Sequence, residues 1–321
     1  MGRNESKMVS LNKNYGTKDS LRQPQLDRIA HIQPYLKTVW ENIRIVWEDT
    51  LGRIGMIILI FFILLAIFGP LIAPYGAYEK CRAPDGTLKR MQPPSWRHPL
   101  GTTYYGRDVL SQVILGTRQV VLVGFISALM VVVVGTNIGL ITGYYKGNID
   151  NFLMRLTDIV YGIPFLPFSM VLISIIGKGV SSIIIAIVVI LWRSTARVIR
   201  SQVLSLRERP FVLALKVAGA SDFRVIYKHI APNILPMVFL YASFAIAWAV
   251  AAEASICFLG LGDPNTISWG QILFYAFLTK GVNSPYWWII PPGICIMLLV
   301  MSAFFIGRAY EKVVNPQLRE R

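Results

Sequence analysis

The string GKGVSS from Gly177 is the nearest the chain comes to a phosphate-cradling loop. Such a loop needs Gly-Lys followed by Ser or Thr, so that backbone N–H groups and the lysine close on phosphate together. Here Lys178 is followed by Gly179, at the edge of an apolar run, and nucleotide hydrolysis is not expected of it. The histidines His31, His98 and His229 have no evident partner, and no Ser/His/Asp or paired-carboxylate arrangement accompanies them. Cys81, Cys257 and Cys295 are far apart, odd in number and without metal-ligand spacing, which indicates neither a disulfide framework nor a zinc site. We expect no catalysis by this chain, no metal and no cofactor bound to it.

The elements that carry these residues are apolar. Hydrophobic residues make up 54% of the 321 and charged residues 15%, a composition of a membrane chain rather than a soluble enzyme. A helix needs about 20 apolar residues to cross about 30 Å of hydrocarbon. Charge-free runs of that size cover Ile54 to Ala73, Gln119 to Tyr145, Ile159 to Gly177, Ile234 to Ala252 and Gly281 to Gly307. A sixth starts at Val180 and extends to about Val198, with Arg193 and Arg197 one turn apart and expected to snorkel. The expected fold is an all-α polytopic membrane protein with six transmembrane helices.

Charge sets the expected orientation. With both termini cytoplasmic, the inside segments carry 23 Lys and Arg and the outside segments 8, in keeping with the positive-inside rule. The net charge of +15 is read as that basic excess, not as a nucleic-acid footprint. No cleaved signal peptide is expected. Residues 1–35 read as a disordered cytoplasmic tail and 308–321 as a second tail. Residues 36–53, with Leu36, Trp40, Ile43, Trp47 and Leu51 at helical spacing, read as an amphipathic helix in the lipid interface or packed on protein. Residues 54–73 are the first span, 74–117 an extracytoplasmic loop and 118–307 the remaining core.

Gly135, Gly139, Gly143 and Gly147 form a four-residue ladder suited to close helix approach. Pro164 and Pro167 interrupt the third span and Pro291 and Pro292 the sixth, so kinks or breaks are expected there. Glu253 stands out among acidic residues in the spans; it either lines a polar cavity or bonds to neighbouring backbone. Pro164, Pro167 and Glu253 are candidate translocation-path residues.

ALKVAGASDFRVIYKHIAPNILP, Ala214 to Pro236, reads as two short helices hinged on Gly219. Pro210 opens the first helix, Gly219 offers a left-handed stop, Ser221 caps the second and Pro232 ends it. Helices this short are marginal alone and need a partner surface. Residues 193–233 leave no room for a third core helix, which argues against DNA as that partner.

Leu213 through Gly219 to Pro232 resembles the cytoplasmic EAA loop of permease subunits in binding-protein-dependent ABC importers. Ala214, Gly219 and Pro232 are kept, whereas Leu213 stands where the motif often has Glu and Leu215 where it has a second Ala. GTTYYGRDVLSQVILGTR, LMRLTDIVYGIPFLP, ARVIRSQVLSLRERPFVLALKVAGAS, KHIAPNILP, EASICFLGLGDP and NPQLRER are similar to the C-type permease of dipeptide and oligopeptide importers. The resemblance runs from about Trp47 to the C-terminus. It implies a MetI-like type I permease whose coupling loop, 207–233, docks on a cytoplasmic ATPase through Phe211, Leu213, Ala214, Leu215, Gly219, Ala220, Ser221, Phe223 and Pro232. It also implies a second homologous permease, an extracytoplasmic solute-binding protein, and ATP and Mg²⁺ held by the ATPase. Peptides are the implied cargo, with oligosaccharides or nickel complexes as alternatives. The rival from another class is a stand-alone channel or secondary transporter with a regulatory docking loop.

Overall fold

The first two long helices each begin at an aspartate cap. In the computed structural model, which describes residues 43–280 and 285–314, Asp49 caps α1 (Thr50–Ile72) by accepting from the Gly52 N–H. Asp108 caps α2 (Val109–Tyr144) through the Ser111 N–H and hydroxyl, each 2.8 Å away. Then follow α3 (Asn148–Gly162), α4 (Phe165–Ile176), α5 (Val180–Leu206), α6 (Pro210–Val217), α7 (Asp222–Arg224), α8 (Ala231–Ile256), α9 (Trp269–Lys280) and α10 (Tyr286–Val314). Among the described residues there is no strand, only two isolated bridges in the loop before α2. The chain is an all-α polytopic membrane protein.

Among the described residues, five helices are long and apolar enough to cross a membrane, and a sixth crossing exists if α3 and α4 together make one. The break expected within the run from Ile159 to Gly177 is present: α3 and α4 are bent by 94°. Pro164, extended at the N-cap of α4, cannot continue α3. At about 1.5 Å per residue the 12 residues of α4 reach roughly 18 Å, short of the hydrocarbon. Pro167 lies in the first turn of α4, where a missing N–H breaks nothing. Pro291 and Pro292, where a kink or break is expected, lie inside a continuous α10, so the last span is not broken there.

The second span begins ten residues before Gln119, because residues 109–118 are helical. Their polar side chains end the charge-free run in sequence yet are satisfied in place: Thr117 Oγ1 donates to the Val113 carbonyl and Gln112 Nε2 to the Ala77 carbonyl. The preceding loop therefore ends at Asp108 rather than at 117. It is folded: Cys81 N bonds Gly106 O, Thr102 Oγ1 bonds Lys89 O, and Tyr78 Oη reaches Thr266 O. His98, read as partnerless, is buried with Nδ1 2.9 Å from Asp108 Oδ1. Asp108→Ala removes a helix cap and orphans a buried imidazole, so we expect about 2–4 kcal/mol of destabilisation. A fall in the unfolding temperature of the detergent-solubilised protein measures it, and an unchanged temperature refutes this account of the loop.

Three rungs of the glycine ladder hold α2 against α5. A Cβ on Gly135, Gly139 or Gly143 would lie 2.5–2.7 Å from Thr195, Ile199 or Val203. Gly147 does not continue the ladder; with φ +83 it ends the turn between α2 and α3. Around this seam Val123, Val131, Ile183, Ile187, Ala249 and Ile256 form the central core. Near the N-terminus the helix over residues 43–48 stops at Asp49, so Leu51 belongs to α1, while Val46 packs against Leu240, Ala309 and Tyr310. Ile43 and Trp47 point outward, each 45% exposed. Of the expected tail 308–321, residues 308–314 are the last turns of α10, while 315–321, the expected tail 1–35, Leu36, Trp40 and His31 fall outside the described residues.

Arg193 and Arg197 find polar and aromatic partners on α3. Arg197 Nη2 bonds Asp158 Oδ1 at 2.6 Å, Arg193 Nη1 donates to the Val160 carbonyl at 3.0 Å, and both guanidiniums lie over the Tyr161 ring. Arg200 completes this charged seam with a two-pronged bond to Asp150, both contacts at 2.6 Å. Polar attraction, not apolar burial, fastens α3 to α5, since only Asp150 and Thr157 of α3 are buried.

Candidate functional site, the coupling loop

Pro210 starts α6 at a position where its absent N–H leaves no bond unmade. Helical periodicity then divides α6 into two faces. Val212 is wholly buried and Leu215 partly so, against Leu140, Tyr144, Ile199 and Val203. Phe211, Leu213 and Val217 point away, 41%, 47% and 91% exposed, and Ala214 is exposed beside them. Gly219 follows with φ +77, the left-handed region that glycine enters without strain, and a Cβ there would meet nothing within 4 Å.

Beyond the elbow the expectation changes. Ser221 occupies the N-cap of α7 with extended backbone, but its side chain makes no capping bond. Phe223 is 73% exposed and stacks on Tyr227 at 4.7 Å. Pro232 does not end the second helix. Residues Val225–Ile230 open into π-helical turns, where the Ala231 N–H reaches five residues back to Ile226 O. That wider register admits a proline without an i−4 bond. The helical path from Asp222 runs on through α8, continuing with π-helical turns to Leu261. Pro232 instead lies exposed in a shallow depression with Phe223, Arg224, Tyr227 and Lys228.

The loop is anchored on the ends of two spans. Tyr144 Oη donates to Asp222 Oδ1 at 2.5 Å, Lys216 Nζ sits 4.6 Å over the same ring, and Arg207 Nη1 donates to the Tyr144 carbonyl at 2.8 Å. Val225, Ile226 and Ile230 are buried beneath. A rigid frame thus presents an apolar face that no described residue covers. Of the residues read from sequence, Phe211, Leu213, Ala214, Gly219, Ser221, Phe223 and Pro232 lie at this surface, whereas Leu215 and Ala220 pack inward and support it. Val217, the most exposed of the apolar set, was missed, although its i+4 spacing from Leu213 marks the shared face. Tyr144, Lys216 and Asp222 carry no signal in sequence that links them.

The candidate path residues lie elsewhere. Glu253 is wholly buried on α8, accepting from Cys257 Sγ at 3.2 Å, closed off from any open path in this conformation. Lys178 of the GKGVSS string donates to the Gly260 carbonyl at 2.6 Å.

The model of the family "Binding-protein-dependent transport system inner membrane component" matches residues 135–319, and that of the "N-terminal TM domain of oligopeptide transport permease C" matches residues 39–94. A dipeptide transport system permease protein of Alkalihalophilus pseudofirmus is 31% identical over 297 residues, 92% of this chain and 94% of that one. One from Bacillus subtilis is 30% identical over 303 residues, 94% and 89% of the two chains. The oligopeptide transport system permease protein of Bacillus subtilis is 31% identical over 275 residues, 85% and 88% of the two. A chain of the MetNI methionine ABC transporter, solved in inward-facing conformations, aligns with TM-score 0.47 and 20% identity over 63% of this chain and 94% of that one. The chain belongs to the inner membrane components of binding-protein-dependent transport systems and is a permease subunit of an ABC importer.

Proposed function

We propose that this permease imports short peptides, pairing with a second homologous permease and taking its energy from a separate ATPase that docks on residues 207–233. The observation that carries the docking reading is the uncovered apolar face of Phe211, Leu213, Val217 and Phe223, held on a frame whose inner side is fully packed. Exposed apolar patches of this kind, rimmed by Lys216, Arg224 and Lys228, mark protein contacts. Peptide cargo is supported by the names of the relatives, which are dipeptide and oligopeptide permeases. Both termini and the coupling loop then lie in the cytoplasm, an extracytoplasmic binding protein delivers the peptide, and ATP with Mg²⁺ is held by the ATPase.

The continuous helix from Asp222 into α8 supplies the mechanical link. Movement of the docked ATPase acts on α6 and α7, and without a break at Pro232 it passes directly to the spans. Uptake of a labelled dipeptide by cells expressing the complete system tests the reading. Import that needs this chain and an intact ATPase supports it; import driven by an ion gradient without any ATPase would establish the stand-alone transporter instead.

A further inference from the structure

Between α5, α8 and the bend after α3 lies a cavity of about 380 Å³, a size common for small-molecule sites. Arg193, Ser194 and Thr195 line one wall, Tyr241, Phe244 and Trp248 another, and Tyr161 and Phe304 the rim. Arg193 lies on the 27-residue α5, and Tyr241 to Trp248 lie on the 26-residue α8, both part of helices apolar enough to cross a membrane. The cavity lies against these two spans, and it is open at Trp248, which is 60% exposed.

Its charge is unbalanced. Arg197 is paired with Asp158 and Arg200 with Asp150, but among the described residues Arg193 has no carboxylate partner. Its Nη1 contacts the neutral Val160 carbonyl, and its guanidinium lies 4.8 Å from the Tyr161 ring centre. A guanidinium carries five N–H donors. A cation on a membrane-crossing helix without a carboxylate partner is costly unless it faces a wet path or an anion, and intramembrane ionisable residues mark substrate pathways. The surrounding aromatic rings suit an apolar body attached to that anion.

We infer that this cavity is a transport subsite in which Arg193 receives the C-terminal carboxylate of a short peptide and Tyr241, Phe244 and Trp248 hold its side chains. The inference rests on the reading of the chain as a peptide permease. It gives Arg193 a specificity role that the basic seam to α3 does not need, since that seam is already closed by Arg197 and Arg200.

The test is equilibrium binding of a labelled tripeptide to the assembled complex in nanodiscs, without the binding protein, which would otherwise select the cargo first. The free acid and its C-terminal amide are compared. We expect the acid to bind on the order of tenfold tighter or more, as a charge-assisted bond to arginine supplies. Arg193→Gln should bring the acid to the level of the amide, with Arg193→Lys between; recovery of both variants with the second permease and the ATPase verifies assembly. Equal affinities of acid and amide in the wild-type complex overturn the inference without any variant, as does an acid preference that survives Arg193→Gln. The reading of function fails separately: if cells with the complete system import no peptide, the cargo is wrong, whereas import without acid preference at the cavity removes the subsite alone.

Discussion

A chain carrying Val217→Asp is expected to insert, fold and pair with a second permease, but to purify without the ATPase. Val217 is 91% exposed and touches nothing that the fold depends on, so the charge costs the isolated chain little. If the ATPase docks on this face, the same carboxylate would be buried there without a partner. Losses at such central anchors run to about 2–4 kcal/mol, roughly 30- to 1,000-fold in affinity. The contrasting substitution is Val212→Asp, wholly buried on the inner side of α6, which should abolish the folded loop itself. The measurement is the ratio of ATPase to tagged permease after purification in mild detergent. Wild-type recovery of the ATPase by Val217→Asp would show that this face is not the docking surface.

Gly219→Val produces a different defect: the ATPase stays bound while transport per ATP falls. Gly219 has φ +77, and no atom lies within 4 Å of an added Cβ, so the penalty is conformational rather than a clash. A β-branched residue held there is strained by about 1–3 kcal/mol. Relief requires α6 and α7 to change their mutual angle, which spoils the linkage from the docking face to α8. Since whole coupling free energies are about 1–3 kcal/mol, a roughly 5- to 150-fold loss of peptide imported per ATP is expected. Gly219→Asn separates the causes, because asparagine tolerates the left-handed region. It should transport far better than the valine variant. Normal transport by Gly219→Val, measured together with ATP hydrolysis in the same proteoliposomes, would remove the elbow from the mechanism.

The elbow was legible from sequence because a local rule decides it: two short helical patterns separated by glycine leave few alternatives for the backbone. The exit at Pro232 was not, since the π-helical turns of Val225–Ile230 depend on how those residues pack beneath α2 and α5. Span positions followed from apolar runs, yet a run says only that a segment is apolar. It gave no measure of the 94° bend at Pro164, and it stopped short of residues 109–118, whose polar groups are paired inside the fold. His98 and Asp108 meet through an irregular loop with no period to betray them. The partners of Arg193 and Arg197 were not legible because the acidic partner and the Tyr161 ring lie on another helix.

The account turns on the face formed by Phe211, Leu213, Val217 and Phe223 being the contact through which ATP energy enters the permease. The most direct measurement places a photo-crosslinking amino acid at position 217 in the complete complex and, as the reference, at Leu129, which is 64% exposed on the flank of α2 away from the loop. The prediction is a single dominant adduct between position 217 and the ATPase subunit, with none from position 129. An ATPase that co-purifies yet crosslinks at neither 217 nor 223 would contradict the account.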